Sequence, residues 1–457
     1  MRSSEVDRRR FLKYVGAGAV AVGGAAAAYS LYNTGLGRRP EITIPTTTMR
    51  ENHPPVANFM RRPYYLKPTD QQTIQFTSNC YDADNDPLQF NWSVDGQPAS
   101  TQENYSDKLP GGEQTVRLNV SDGIAEDDVQ QNVIVEPDQI YPTKQLRIKY
   151  KGMRMMVGWK GMSRTPTEVT DEKLEVIRNE LGCNAVTIFG NTEFEDNLIE
   201  AGRLAIQKGF DRIYLTPMYL DLSIDETVER IGEFAPKVRK LREMSESIVF
   251  MVGHEFGLDS SSFVPGDTYE ERSLNAWNGQ FDYNKAKAIL PGVFKRIVSL
   301  CNKNYGYQIT YAAIPWEADN VVPWSDPIFE SVGSDAYIWD KVGWTESWVI
   351  SHLSGLKIFR KPVNSTEWGC MTYKNASNDW QVAVEKYPYD ENEQANYIAR
   401  YCSMLNKAKI NGAIYTQIDD ERLGGYGLYK ATSPPYFGPG SSRKKGFYMY
   451  KSYQISP

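Results

Sequence analysis

Glu255 and Glu367 are the residues of this chain best placed to do chemistry. Each directly follows a short β-rich run: Ser247-Ile-Val-Phe-Met-Val-Gly-His-Glu255 and Lys357-Ile-Phe-Arg-Lys-Pro-Val-Asn-Ser-Thr-Glu367. In a chain that alternates β and α segments, these are the ends of the fourth and seventh strands. If the alternation closes into a barrel, both carboxylates point into one mouth, where the strand ends gather. Two facing carboxylates can cleave a glycosidic bond, one protonating the leaving oxygen and the other attacking the anomeric carbon.

The elements that must position them follow from periodicity. Met153–Val157 is apolar and ends in Gly158-Trp159. Thr170 can cap a helix with Leu174, Ile177 and Leu181 on one face, closed by Gly182. Ala185–Phe189 and Arg212–Thr216 read as the second and third strands. A helix bearing Val228, Ile231, Phe234, Val238 and Leu241 comes next, with a kink expected at Pro236. Ile248–Val252 leads to Glu255, and a long loop spans Phe256 to Phe281. Gln308–Ala313, Ser331–Tyr337, a seventh strand beginning at Leu356–Phe359, and Gly412–Gln417 complete the count. Eight β/α units in about 300 residues, with unbroken apolar strands, predict an α/β fold, a (β/α)8 TIM barrel, over 147–455. The competing doubly wound sheet would carry a Gly-rich phosphate turn after its first strand, and none is present. Read in order, the strand ends give Trp159, Asn191, Tyr219 and Asp221, His254 and Glu255, Trp316 and Glu317, Tyr337 and Trp339, Glu367 and Trp368, then Gln417 and Asp419. Carboxylates, aromatics and amides suit a sugar site.

Composition narrows the alternatives. A net charge of −6 over 457 residues offers no basic surface for nucleic acid. The chain has 10 Trp and 29 Tyr, an excess that suits flat platforms for pyranose rings. The three histidines, His53, His254 and His352, are too few for the usual metal-dependent barrel hydrolase, so no metal and no cofactor are expected. The five cysteines show no C-x-x-C spacing, their odd number leaves at least one thiol unpaired, Cys183 and Cys301 read as buried free thiols, and no G-x-S-x-G elbow is present.

The N-terminal third is organised differently. Arg8-Arg9-Arg10-Phe11-Leu12-Lys13 and the Gly/Ala-rich run to Tyr29 match the twin-arginine pattern R-R-x-F-L-K, so residues 1–33 are expected to direct export of a folded protein. The apolar run is also close to the ~20 residues of a membrane span. Cleavage of the signal and retention as a surface anchor therefore both stay open. Residues 34–55 read as an extended linker. Residues 56–137 show short alternating strands, including Leu88–Val94 and Val116–Val120, separated by Asp95-Gly96 and Asp122-Gly123 turns. That pattern predicts a small all-β, immunoglobulin-like sandwich. Asp82, Asp84 and Asp86 could hold Ca²⁺, but an acidic turn capping its own backbone is the plainer reading.

Two resemblances add to these readings. The order Asp82-Ala-Asp-Asn-Asp86-Pro, Trp92, Asp95-Gly96 and Asp122-Gly123 resembles the PKD/cadherin-like surface modules, which implies a spacer or adhesive unit. From about 150 to 455 the chain resembles clan A glycoside hydrolases. The resemblance rests on Gly253-His-Glu255-Phe, Gly333-Ser-Asp-Ala-Tyr337-Ile-Trp339 and Thr366-Glu367-Trp368-Gly369. It implies Glu255 as general acid/base, Glu367 as nucleophile and Tyr337 as a hydrogen-bond donor to the nucleophile. The family usually has Asn where this chain has His254, which could serve the sugar 2-OH. It also commonly has a Trp at the strand-8 end, where Tyr415-Thr-Gln417 stands. The expected protein is an exported glycoside hydrolase acting on an extracellular glycan, with Trp159, Trp316, Trp339, Trp368, His254, Tyr337 and Gln417 contacting sugar. The rivals are a catalytically inactive glycan-binding or envelope protein and an adhesion protein led by the sandwich.

Overall fold

Alternation of apolar and polar residues between Phe59 and Val135 builds two antiparallel sheets. Phe59–Arg62, Ile74–Ser78 and Tyr105–Asp107 form one; Gln97–Ser100, Gln89–Val94, Gly112–Ser121 and Glu126–Val135 form the other. The computed structural model describes residues 52–66, 72–135, 139–158, 164–260, 262–378, 387–419, 425–430 and 442–455. The export segment, most of the linker and Trp159 lie outside the described residues. Side chains of both sheets bury into one core around Trp92, with Phe59, Phe76, Leu118 and Val133. Trp92 meets Phe59 edge-on at 4.9 Å, and its indole N–H donates to the Gln102 carbonyl at 2.9 Å. In the acidic turn, Asp82 Oδ1 accepts from the amides of Asp84 and Asp86 at 2.8 and 3.1 Å, as a self-capping turn requires.

Eight parallel strands then form a near-closed barrel: Tyr150–Met156, Ala185–Asn191, Arg212–Met218, Ile248–His254, Ile309–Ala312, Val332–Asp335, Val363–Trp368 and Gly412–Tyr415. They are called barrel strands 1 to 8 below. Strand 1 pairs with strand 8. At the remaining seam, single backbone bonds join strands 5 and 6, among them Glu330 N–H to Ile309 C=O at 2.9 Å and Asp335 N–H to Ala313 C=O at 2.8 Å. Apart from Arg212 at the start of strand 3, every strand residue is buried, because helices cover the outer face and side chains fill the interior. An interior layer of Tyr150, Ala185, Tyr214, Val249, Met251, Ala312 and Ile414 draws on six different strands.

The helix Ile224–Met244 buries the five apolar residues expected of it and starts with a reciprocal Ser223/Glu226 cap. It runs through Pro236 without ending. The carbonyl that Pro236 deprives of a donor is that of Gly232, and Asn304 Nδ2 on the next helix donates to it at 3.0 Å. Two expectations are corrected: the helix carrying Leu174 starts at Thr167, so Thr170 lies buried within it and does not cap it, and the start of strand 7 moves. Leu356–Phe359 is a 3₁₀ turn closed by Arg360 at φ 56°, and strand 7 begins only at Val363. Pro362 lacks the N–H that a central ladder needs, so the strand cannot start before it.

The two folded parts meet through a short peptide. Arg61, wholly buried, donates to the carbonyls of Pro63 and Tyr64 at 2.9 and 3.0 Å. The amides of Tyr64 and Tyr65 donate to Glu172, on the helix after strand 1, at 3.0 and 2.5 Å.

Candidate active site

Glu367 lies at the end of strand 7, where the pairing register shifts against both neighbours. Such irregularities re-aim side chains at barrel rims. Three donors converge on its carboxylate, from strand 1, the end of strand 4 and the segment just past strand 6. Tyr337 Oη donates to Oε1 at 2.5 Å, His254 Nε2 lies 3.1 Å from Oε2, and Arg154 Nη1 donates to the same Oε2. Burial by itself would raise the Glu367 pKa, but Arg154, His254 and Tyr337 together bring it down to about 2. Its pKa lies well below the usual carboxylate range, so the group is ionised near neutral pH.

Glu255 has the opposite environment. Its backbone is held in the left-handed region at φ 41°, ψ 53°, which for a non-glycine residue costs about 1–3 kcal/mol. The surrounding bonds account for its persistence: the Glu255 amide donates to Ala312 at 2.9 Å, and its carbonyl accepts from Leu258 at 2.7 Å. The next two amides are pinned by strand 5 and the helix after it. Phe256 N–H donates to Tyr311 Oη at 2.7 Å, and Gly257 N–H donates to Glu317 Oε1 at 2.7 Å. Glu317 is thus a buried brace for the Glu255 turn, and burial raises its pKa to about 7. Burial also pushes the Glu255 carboxyl well above the usual carboxylate range. The charges of Asp335, Glu367 and Asp259 add to this rise against the opposing pull of His254. The pair is therefore polarised, one carboxyl held as the acid and the other as the anion.

His254 stands between them. Its Nε2 is 3.1 Å from Glu367 and 3.6 Å from Asp335 Oδ2. Its Nδ1 is 3.9 Å from Asp259 Oδ1, too far for a hydrogen bond, so Asp259 acts on it as a charge. Burial opposes protonation of this ring, but Glu255, Asp259 and Glu367 outweigh it and hold the imidazole pKa well above its usual value. The imidazole edge meets Phe189, and the Arg154 guanidinium lies 4.1 Å over the same ring.

The other expected sugar contacts are spread over different environments. Trp339 is stacked between Tyr337 and Trp344 at 4.7 and 5.2 Å, and the stack continues through Trp348 to His352. Both faces of Trp339 are covered by rings, so it presents an edge. Trp316 is partly buried against Phe281 and Tyr283. Trp368 is fully buried and lies flat on Tyr401 at 4.2 Å, away from the mouth on the helix side. Gln417 is 3 % exposed at the end of strand 8, beyond a cis Thr416–Gln417 peptide.

Sequence reasoning missed four members of this site. Arg154 interrupts the buried run Met153–Met156, and a cation inside a buried strand is the signal that could have found it, although Lys151 of the same strand carries that signal too. Asp335 lies within a quoted motif, yet was given no role. It is 2 % exposed, and its Oδ1 accepts from Thr366 Oγ1 at 2.7 Å. Asp259 and Tyr269 come from the loop after strand 4. Burial and the charges of Glu255, Asp259 and Glu367 raise the Tyr269 phenol well above its usual pKa. His254, Glu255 and Asp335 bring one ligand-type atom each within 4.8 Å of one another, so these three could geometrically hold a cation.

No protein-family profile matches the chain, and no curated protein sequence matches it. Solved structures do. A GH113 β-1,4-mannanase aligns over 67 % of this chain and 99 % of its own length, at 15 % identity and TM-score 0.44. A GH2 β-galacturonidase from Eisenbergiella tayi aligns over 88 % and 73 %, at 13 % identity and TM-score 0.44. A Bacteroides uniformis β-glucuronidase 2 variant aligns over 83 % and 47 %, at 13 % identity and TM-score 0.47.

Proposed function

We propose that this protein is an exported glycoside hydrolase cleaving O-glycosidic bonds of an extracellular glycan by a retaining, double-displacement mechanism. The observation that carries the reading is the opposite polarisation of Glu255 and Glu367 within one barrel mouth. In the first step Glu255 gives its proton to the leaving glycosidic oxygen while Glu367 attacks the anomeric carbon. Arg154, His254 and Tyr337 keep the attacking carboxylate ionised. In the second step Glu255, now a carboxylate, takes a proton from water as that water displaces Glu367 from the glycosyl-enzyme. Neither step calls for a cofactor. Tyr337, His254, Trp316, the edge of Trp339 and Gln417 are the proposed sugar contacts among the described residues. In this reading the twin-arginine pattern of Arg8–Lys13 supports export, and the reaction takes place outside the cytoplasm.

The test is hydrolysis of a panel of aryl glycosides and polysaccharides by the wild type, Glu367→Gln and Glu255→Gln, with the first-formed anomer followed by NMR. The expected result is turnover with retained configuration in the wild type and a loss of several orders of magnitude for Glu367→Gln. Undiminished turnover by Glu367→Gln would remove the basis of the proposal, and an inverted first product would replace the nucleophile role with that of a general base.

A further inference from the structure

Tyr65 belongs to the peptide that leaves the first sandwich strand, yet its ring is buried in the barrel. It is 5 % exposed and meets Tyr429 edge-on at 4.9 Å. Its hydroxyl donates to the Asp419 carboxylate, 3.1 and 3.0 Å from the two oxygens. Lys173 Nζ approaches the same carboxylate at 2.6 Å, with side-chain exposures of 0 % for Lys173 and 5 % for Asp419. A buried ion pair of this kind depends on further hydrogen bonds to its remaining lone pairs, and Tyr65 supplies one.

Asp419 is one residue beyond Ile418, whose N–H donates to the Arg154 carbonyl at 3.1 Å. Arg154 in turn donates from its guanidinium to Glu367. The path therefore runs from the sandwich peptide, through the end of strand 8, to the backbone of strand 1 and on to the candidate nucleophile. Arg61 and Glu172 fix the peptide from either side, so Tyr65 is not a side chain that happens to lie nearby. Beside these bonds, Arg62 approaches Glu168 at 3.8 Å along an open cavity of about 460 Å³ that Gln75 and Glu175 also line.

We infer that the peptide Arg61–Leu66 is a structural part of the barrel mouth, and that Tyr65 is a positioning residue for Arg154 and through it for Glu367. The N-terminal module is then a brace of the catalytic barrel, not a detachable spacer. The kinetic consequence rests on the hydrolase reading of Glu367; the mechanical coupling does not.

The test uses the full chain carrying Tyr65→Phe, which removes one oxygen and keeps the ring contact with Tyr429. Tyr105→Phe is the control, because it deletes another tyrosine–carboxylate bond, the part-buried one from Tyr105 to Asp107 at 2.7 Å, within the sandwich. Hydrogen exchange should quicken in peptides covering 150–158 and 412–419 of Tyr65→Phe and stay unchanged there in Tyr105→Phe. On a hydrolysed glycoside, kcat should fall about tenfold, less than the ~100-fold of a 1 Å misplacement. KM should move less than twofold, and the acidic limb of the kcat/KM profile should shift upward as Arg154 holds Glu367 less firmly. Unchanged exchange in a folded Tyr65→Phe protein would overturn the inference whether or not any glycoside is cleaved. So would an active wild type, an inactive Glu367→Gln and a Tyr65→Phe variant matching the wild type in kcat and acidic limb. An active Glu367→Gln with quickened exchange in Tyr65→Phe would sink the hydrolase reading and leave the brace standing.

Discussion

Tyr337→Phe is the sharpest probe of how this site sets its ionisation. The substitution removes one oxygen, the hydroxyl that donates to Glu367 Oε1 at 2.5 Å, and leaves the ring stacked on Trp339. A hydrogen bond to a charged group contributes about 1.5–3 kcal/mol. At 1.36 kcal/mol per pKa unit, its loss is worth roughly one to two units. Glu367 begins at about 2, so its folded pKa should rise to roughly 3–4, with Arg154 and His254 still holding it below an ordinary glutamate. The nucleophile must be ionised, so activity disappears as pH falls through that pKa. The acidic limb of kcat/KM, which reports the free enzyme, should therefore move up by one to two pH units while the basic limb stays in place. The assay is the initial rate on an activated aryl glycoside from pH 2.5 to 9, with folding at each pH checked by near-UV circular dichroism. An acidic limb that stays where it was, in a folded variant, would refute the idea that Tyr337 holds Glu367 ionised.

Two further outcomes follow from other parts of the molecule. Glu255 carries its proton well above the usual carboxylate range, so activity should fall as pH rises through its folded pKa. In Glu255→Gln that basic limb should vanish, and a dinitrophenyl leaving group, which needs little protonation, should keep far more activity than an alkyl glycoside; equal losses on both would count against the acid role. In the sandwich, Trp92→Ala empties the centre of the core and should cost about 3–5 kcal/mol, read from the denaturant midpoint.

Much of this architecture was legible because its signals are local. A near-continuous apolar run such as Ala185–Phe189 reports burial on both faces whatever lies across the barrel. The stripe Val228, Ile231, Phe234, Val238 and Leu241 defined a helix by period alone, and that helix forms. Strand 7 was misplaced at Leu356 because the composition is β-like, whereas Pro362 and the left-handed Arg360 set the start at Val363. Trp368 could have been placed from period two: if Glu367 faces the mouth, its neighbour faces the helices, where Tyr401 meets it.

The sequence by itself placed most of the strands and the helix stripe, since both periods are properties of neighbouring positions, but it put Trp316 and Glu317 at the end of strand 5 when they lie on the short helix after it. It determined equally that Glu255 and Glu367 share a barrel mouth, given the order of β and α segments. Only the tertiary structure decided how each carboxylate ionises. Charge state is set by what lies within a few ångströms, and the groups around Glu367 come from strand 1, the end of strand 4 and the segment just past strand 6, far apart in the chain. The same reason hid Tyr65: nothing in residues 61–66 announces a partner 354 positions away, and only folding brings its hydroxyl to Asp419.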